Sequence, residues 1–157
     1  MRRGQAMIET VLAVLFITFV FLTAYQLSNR LSARILLDHA AARAARAKAV
    51  GFNDFMCRKS ARVAMIPVAG RRVWPADLEG ADEVSRIPVY LATDHEAMAR
   101  GVLDYERWET TSFNVRSGGG IGATVDARLR MEADDFIATG EASVESHFPL
   151  YMFDQGL

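Results

Sequence analysis

Apolar residues dominate the start of the chain, and their distribution predicts its first element. No charged residue occurs from Thr10 through Asn29. A membrane-spanning helix needs roughly 20 mostly apolar residues, because the hydrocarbon core is about 30 Å thick and contains no water that could hydrogen-bond the backbone. The segment from Ala6 to Tyr25 meets that requirement. A secretory signal peptide would have a shorter apolar core followed by a cleavage site. We therefore predict a transmembrane helix.

The helical pattern continues beyond this segment while its polarity changes. Apolar residues recur at four-residue spacing: Leu27, Leu31 and Ile35. Residues 38–50 are rich in alanine, with arginines interspersed and neither glycine nor proline, which is a strongly helix-forming composition. One helix is thus predicted from near Gln5 to Val50, ending at Gly51. Its alanine-rich part suits either packing against the protein's own head or contact with another subunit.

The C-terminal half of the chain shows the alternation of apolar and polar residues that is typical of β-strands. Apolar residues alternate with charged ones over Thr124 to Glu132, which predicts a strand with one face toward a core. The preceding segment, Thr110 to Arg116, is rich in β-forming residues, and the glycine-rich residues 117–122 would connect the two strands as a hairpin. A third strand is predicted from Glu141 to Phe148.

The middle of the chain is broken by prolines into shorter segments. We expect a short helix within residues 52–65, a short strand at Ile87 to Leu91, and a helical turn at His95 to Arg100. The predicted fold class is therefore α+β: a long N-terminal transmembrane helix followed by a small head with an antiparallel sheet.

Glu9 is the one acid within the apolar segment. A carboxylate at the centre of a membrane helix costs roughly 2.5 to 3.5 kcal/mol on insertion scales, and such residues usually have a partner. Glu9 could lie shallow enough to reach the lipid headgroups or could complement the helix dipole. Alternatively, a cut after Gly4 would make Gln5 the N-terminus, and its ammonium group could pair with Glu9 of a neighbouring subunit.

The order Arg-Arg-Gly-Gln-Ala-Met-Ile-Glu-Thr at positions 2–10, followed by an uninterrupted apolar helix, resembles the class III signal of type IV pilins and pseudopilins. More closely, it is similar to the TadE-like proteins, the minor pseudopilins of tight adherence (Tad) pilus systems. Their openings typically read Arg-Gly-Gln-Ala-x-x-Glu. An aromatic residue commonly follows that glutamate, whereas this chain has Thr10.

The resemblance implies a set of sites and a location. Prepilin peptidase would cut after Gly4, and Glu9 would be the acid at mature position five. The chain would then comprise a basic leader (1–4), a transmembrane helix (5–29), a helical stem (30–51) and an extracytoplasmic head (52–157). The N-terminus would lie in the cytoplasm and the helix in the inner membrane, from which it would pass into a pilus. Expected partners are prepilin peptidase, other pilin or pseudopilin subunits, the inner-membrane assembly platform and membrane lipid.

Composition narrows the choice of partners. The chain has 157 residues and a net charge of −1, which argues against bulk nucleic acid as a partner. Basic residues flank both ends of the apolar segment, so the positive-inside rule decides its orientation only weakly. The single cysteine, Cys57, cannot form an internal disulfide and is either a free thiol or part of an intermolecular bridge.

Several groups of residues are candidates for chemistry, and we interpret each as structural. The glycine-rich segment 117–122 lacks the ending of a phosphate loop, and the histidines have no metal-ligand spacing: His39, His95 and His147. The acidic residues are read as a solvated turn: Asp77, Glu79, Asp82 and Glu83. The basic residues are read as a solvated face, with phosphate or anionic lipid as the alternative: Arg58, Lys59, Arg62, Arg71 and Arg72. The large aromatics are read as core or interface anchors: Trp74, Tyr105 and Trp108.

We therefore expect a structural subunit that is not an enzyme and needs no cofactor or metal. The main alternative is a permanently inserted, single-pass protein whose uncut helix is a signal anchor and whose head is an extracytoplasmic adaptor or sensor. An anchored periplasmic enzyme is a third class, which the head does not favour because no nucleophile and base can be paired in it.

Overall fold

The computed structural model describes residues 2–76, 80–118, 124–133 and 136–146. Its first helix, α1, is a single element of 48 residues, Arg2–Ala49, which confirms the predicted long helix. It ends where Gly51 adopts a φ of 97°, a conformation that a residue with a side chain rarely adopts. The N–H of Gly51 donates to the Lys48 carbonyl and that of Phe52 to the Ala47 carbonyl, the two bonds of a Schellman motif.

The chain divides into two compact units, Met1–Ser32 and Ala33–Leu157. Helix α1 is the element that runs through both. The second unit contains the end of α1 and these further elements in chain order: α2 Asp54–Ala64, a 3₁₀ turn Ile66–Val68, β1 Arg72–Trp74, α3 Gly80–Ala92, α4 Glu96–Arg100, β2 Asp104–Tyr105, α5 Glu106–Thr110, β3 Thr111–Ser117, β4 Thr124–Ala133 and β5 Phe136–Glu145. The fold class is α+β, as predicted.

The three long strands form an antiparallel sheet in the order β3-β4-β5. The hairpin of β3 and β4 was predicted, and so was the face that β4 buries: Val125, Ala127, Leu129 and Met131. Strand β5 begins at Phe136, five residues before the predicted start at Glu141. Gly140 interrupts the apolar alternation there, which hid the first half of the strand from sequence reasoning. The predicted end at Phe148 lies outside the described residues.

The strand predicted at Ile87 to Leu91 is wrong, because these residues lie in helix α3. Ile87 and Leu91 are four residues apart and partly buried, and Tyr90 between them is fully buried, whereas Pro88 and Val89 are exposed. That spacing is the face of a helix rather than of a strand. The predicted helix in residues 52–65 and the predicted turn at His95 to Arg100 are confirmed by α2 and α4.

The end of helix α1 packs against the sheet within the second unit. Six of its residues are buried: Ala33, Leu37, Ala40, Ala41, Ala44 and Ala45. Five are alanines, and small side chains allow a helix to approach its neighbour closely. At the contact with β5, a side chain on Gly140 would overlap the Leu37 carbonyl and would lie 2.6 Å from the Asp38 nitrogen. The Asp38 carboxylate also accepts the N–H of Glu141 at 3.0 Å. This confirms packing of the helix on its own head.

Candidate functional site

The predicted cleavage and assembly residues all lie in helix α1. Gly4 and Gln5 belong to its first turns, and their side chains are outside the described part of the structure. Glu9 is exposed and follows Gln5 by four residues, which is about one turn of the same helix at about 3.6 residues per turn. Among the described side chains, none forms an ion pair with Glu9.

The helix around Glu9 presents apolar side chains on all sides. Large hydrophobic residues from Met7 to Tyr25 are exposed in the structure, and this segment lies in a helix long and apolar enough to cross a membrane. A helix that is apolar all round and not buried in protein suits lipid surroundings. The hydroxyls of Thr18 and Thr23 donate to the carbonyls of Val14 and Phe19, both at 2.8 Å, so these two polar groups are satisfied within the helix.

Glu9 differs from Thr18 and Thr23 in the hydrogen bonds that its side chain can form. A hydroxyl can return its hydrogen to the preceding turn of the helix, whereas an ionised carboxylate only accepts hydrogen bonds and finds no free N–H in a helix interior. In a lipid environment its most favourable partner is a cation or a strong donor from outside its own helix. If the start of the helix lies in a membrane, Glu9 could thus bind a positively charged group there.

Two basic residues of the head, Lys59 and Arg62, do not belong to the predicted solvated face. The other three remain at least partly exposed: Arg58, Arg71 and Arg72. Lys59 is 0% exposed, and its Nζ donates to the carbonyls of Leu91 at 2.6 Å and Thr93 at 2.5 Å, at the end of α3. Burial lowers the pKa of Lys59, while the charge of Asp94 raises it. The lysine thus satisfies carbonyl groups that the end of a helix leaves unpaired.

Arg62 is also buried, and it joins several elements of the head. Its Nη1 and Nη2 both lie 3.4 Å from Oε1 of Glu96 in α4. Its guanidinium lies 5.8 Å from the ring centre of Trp108 and 6.0 Å from that of Phe113, within cation–π distance. Buried Arg62 and Lys59 are therefore structural residues, and neither is available on the surface to a phosphate or a lipid.

One of the acidic residues, Glu83, also differs from the predicted solvated turn. Glu83 is partly buried, accepts a hydrogen bond from the Tyr105 hydroxyl and pairs with Arg72 at 3.3 Å. Asp82 is exposed, whereas Asp77 and Glu79 lie outside the described residues. Sequence reasoning missed the Glu83 contacts because their partners lie 11 and 22 positions away.

The aromatic residues divide between core and surface. Trp108 and Tyr105 are buried, with ring centroids 4.8 Å apart, which confirms them as core anchors. Trp74 is 52% exposed, and its indole N–H donates to the Gly101 carbonyl at 2.7 Å. It is therefore not a core residue.

The remaining candidates offer no assembled reactive site in the described residues. Cys57 is a free, buried cysteine, and burial raises its pKa. His39 and His95 are exposed, and His147 lies outside the described residues. No group of three or more potential metal ligands occurs in the part of the chain that the structure describes. A shallow, polar depression on the outer face of the sheet is lined by Asn114, Arg116, Asp126 and Arg128.

Comparisons with known proteins do not assign the chain to a family. No protein-family model, curated protein or solved structure matches it.

Proposed function

We propose that this protein is a minor pseudopilin, a structural subunit that prepilin peptidase processes after Gly4 and that takes part in assembling or priming a Tad/Flp-type pilus. One observation carries the proposal: a single carboxylate, Glu9, is exposed near the start of a membrane-length helix in which the side chains from Met7 to Tyr25 are otherwise uncharged and mostly apolar. The arrangement of Arg3, Gly4 and Gln5 before it supplies the cleavage signal by resemblance.

Cleavage would create the partner that Glu9 lacks. Cutting after Gly4 removes Arg2 and Arg3 and leaves an ammonium group on Gln5. In a stack of subunits, Glu9 of one helix would pair with that ammonium group on a neighbour. The attraction between opposite charges is much stronger in an apolar environment than in water, and pairing removes the cost of an isolated carboxylate. The uncut chain has no ammonium group on Gln5, so assembly through this pair would require cleavage.

The proposal also assigns location and partners. The N-terminus would lie in the cytoplasm, the helix in the inner membrane and the head outside the cytoplasm. The partners would be prepilin peptidase, other pilin or pseudopilin subunits, the assembly platform and lipid. By resemblance, a head of this size is larger than that of the small major pilin of the system, which favours a minor subunit. The protein would be a substrate of the peptidase and not itself an enzyme.

The first test is the intact mass and N-terminal sequence of the protein from native membranes, with and without active prepilin peptidase. We expect a chain that begins at Gln5 only where the peptidase is active. If Met1 or Arg2 persists in both samples, the protein is a signal-anchored, single-pass membrane protein whose head is an adaptor or sensor.

The second test concerns Glu9. Glu9→Gln and Glu9→Ala are expected to be cleaved after Gly4 but to enter pili poorly, because neither side chain can form the ion pair with a neighbouring Gln5. Thr18→Val is the matched control, because the Thr18 hydroxyl bonds to its own helix and should be dispensable. Mass spectrometry measures cleavage, and immunoblotting of sheared pili measures incorporation. Normal incorporation of the Glu9 variants would count against the pairing.

A further inference from the structure

Strand β3 is an edge of the three-stranded sheet. It pairs with β4 on one side, and within the described residues no strand lies on its other side. An edge strand with free backbone groups is a template for pairing with another strand, and proteins usually protect such edges with proline, lysine or a covering element. Thr111–Ser117 contains neither proline nor lysine, and its one charged residue, Arg116, lies on the outer face of the sheet.

The hydrogen bonds define which groups of β3 point outward. The N–H of Gly118 donates to the Thr124 carbonyl at 3.1 Å, so these two residues form a hydrogen-bonded pair. Such pairs alternate along an antiparallel ladder, so Ser112, Asn114 and Arg116 also direct their backbone groups to β4. Phe113 and Val115 therefore direct their N–H and C=O groups away from the sheet.

The other edge of the sheet differs. The outward N–H of Glu141 in β5 is bonded to the Asp38 carboxylate of helix α1. The protein's own helix thus takes up part of the β5 edge. Along β3, the apolar side chains are covered incompletely: Phe113 and Val115 are partly buried, while their β4 partners Leu129 and Ala127 are fully buried.

We propose that β3 is a self-association edge, at which two copies of this chain pair their β3 strands antiparallel and join two three-stranded sheets into one of six strands. A two-fold axis at Asn114 is the register that pairs all seven residues. It places Phe113 opposite Val115 of the second copy, where the outward backbone groups of both residues can bond. Aromatic and β-branched residues are a favourable cross-strand pair.

The sequence of β3 favours a second copy as the occupant because the strand is complementary to itself in this register. On the outer face, Arg116 lies opposite Ser112 of the second copy, and Asn114 lies opposite its own equivalent. No two like charges are opposite, and the amide side chains of two asparagines can donate to and accept from each other. On the inner face the new pairs extend the apolar layer over Phe113 and Val115.

Disulfide cross-linking in native membranes tests this register with the full-length chain. The background is Cys57→Ala, which removes the native thiol. In the proposed pairing Asn114 faces its equivalent at a non-hydrogen-bonded position, with a Cα separation of about 4.5 Å, which suits a disulfide. Asn114→Cys should therefore form a dimer under mild oxidation. Ser143→Cys, exposed on β5, is the matched control.

We expect roughly tenfold or more dimer from Asn114→Cys than from Ser143→Cys, because pairing gives the two thiols a high effective concentration. A copy carrying Ser112→Cys should cross-link to a differently tagged copy carrying Arg116→Cys, and two copies carrying Ser112→Cys should not. Equal dimer from the β5 control, no dimer, or a product with the mass of another protein would overturn self-pairing. The readout requires neither Gly4 cleavage nor Glu9, so it fails or succeeds independently of the proposed function.

Discussion

At the scale of single residues, Tyr105 shows how the head buries ionisable groups. Its ring packs on Trp108, and its hydroxyl donates to Glu83. Burial first, and then the hydrogen bond and the negative charge of Glu83, raise the pKa of Tyr105 well above its ordinary value. The pKa of Tyr90, which burial chiefly affects, is raised as well.

The raised pKa of Tyr105 predicts a loss of stability in alkali. An unfolded tyrosine loses its proton near pH 10. Above that pH the unfolded chain binds fewer protons than the folded one, so the free energy of unfolding falls as pH rises, by up to about 1.4 kcal/mol per pH unit for one group. Tyr105→Phe should make this fall shallower, although losing the bond to Glu83 costs about 1 kcal/mol at neutral pH.

The measurement is denaturant unfolding of the detergent-solubilised chain and of Tyr105→Phe between about pH 8 and about pH 11. Lys59 acts in the opposite direction, because burial lowers its pKa and the folded chain releases that proton first. Both proteins contain Lys59, so the difference between their pH curves reports Tyr105. Parallel curves would show that Tyr105 ionises in the folded state as it does in the unfolded one.

Charged residues were the least predictable part of the head. Lysine and arginine are almost never fully buried, so a cluster of them in the sequence favours a solvated face. The structure instead buries Lys59 and Arg62 because carbonyls and carboxylates from distant positions meet them. The local sequence around Lys59 and Arg62 does not indicate these carbonyl and carboxylate partners.

At the scale of elements, the contact between α1 and β5 depends on the absence of a side chain at Gly140. A Cβ there would overlap the backbone of Leu37. Gly140→Ala should therefore push the helix from the sheet and destabilise the head by about 1 to 3 kcal/mol, the usual cost of overpacking.

Gly101→Ala is the control for this prediction, because a Cβ at Gly101 would make only ordinary contacts, the nearest at 3.4 Å from the Met98 oxygen. Denaturant unfolding followed by tryptophan fluorescence would compare the two variants with the parent chain. Equal stability of Gly140→Ala and the parent would mean that helix and sheet are not in close contact there.

The same elements show what periodicity can predict. Strand β4 was predicted to within one residue, because its two faces differ sharply in polarity. Residues 87–91 of helix α3 were read as a strand because Pro88 disrupts the helical pattern and few of the described residues of α3 are fully buried. The two faces of a short segment must differ in polarity before a helical or strand period can be recognised in its sequence.

At the scale of the whole molecule, the chain combines an exposed apolar helix with a folded head. The proposed orientation predicts that the head is outside the cytoplasm. In the Cys57→Ala background, Ser143→Cys should react with a membrane-impermeant maleimide in cells whose outer membrane has been permeabilised while the inner membrane is intact. Labelling only after the inner membrane is broken would place the head in the cytoplasm and contradict the proposal.

The sequence by itself determined the long helix, the membrane-length apolar segment, the position of Glu9 and the hairpin of β3 and β4. These features depend on neighbouring residues, whose spacing the sequence displays directly. Tertiary structure alone decided that Lys59 and Arg62 are buried, that Glu83 pairs with Tyr105, and that Gly140 lies against Leu37. These contacts join residues far apart in the chain, and they form only when packing brings the elements together.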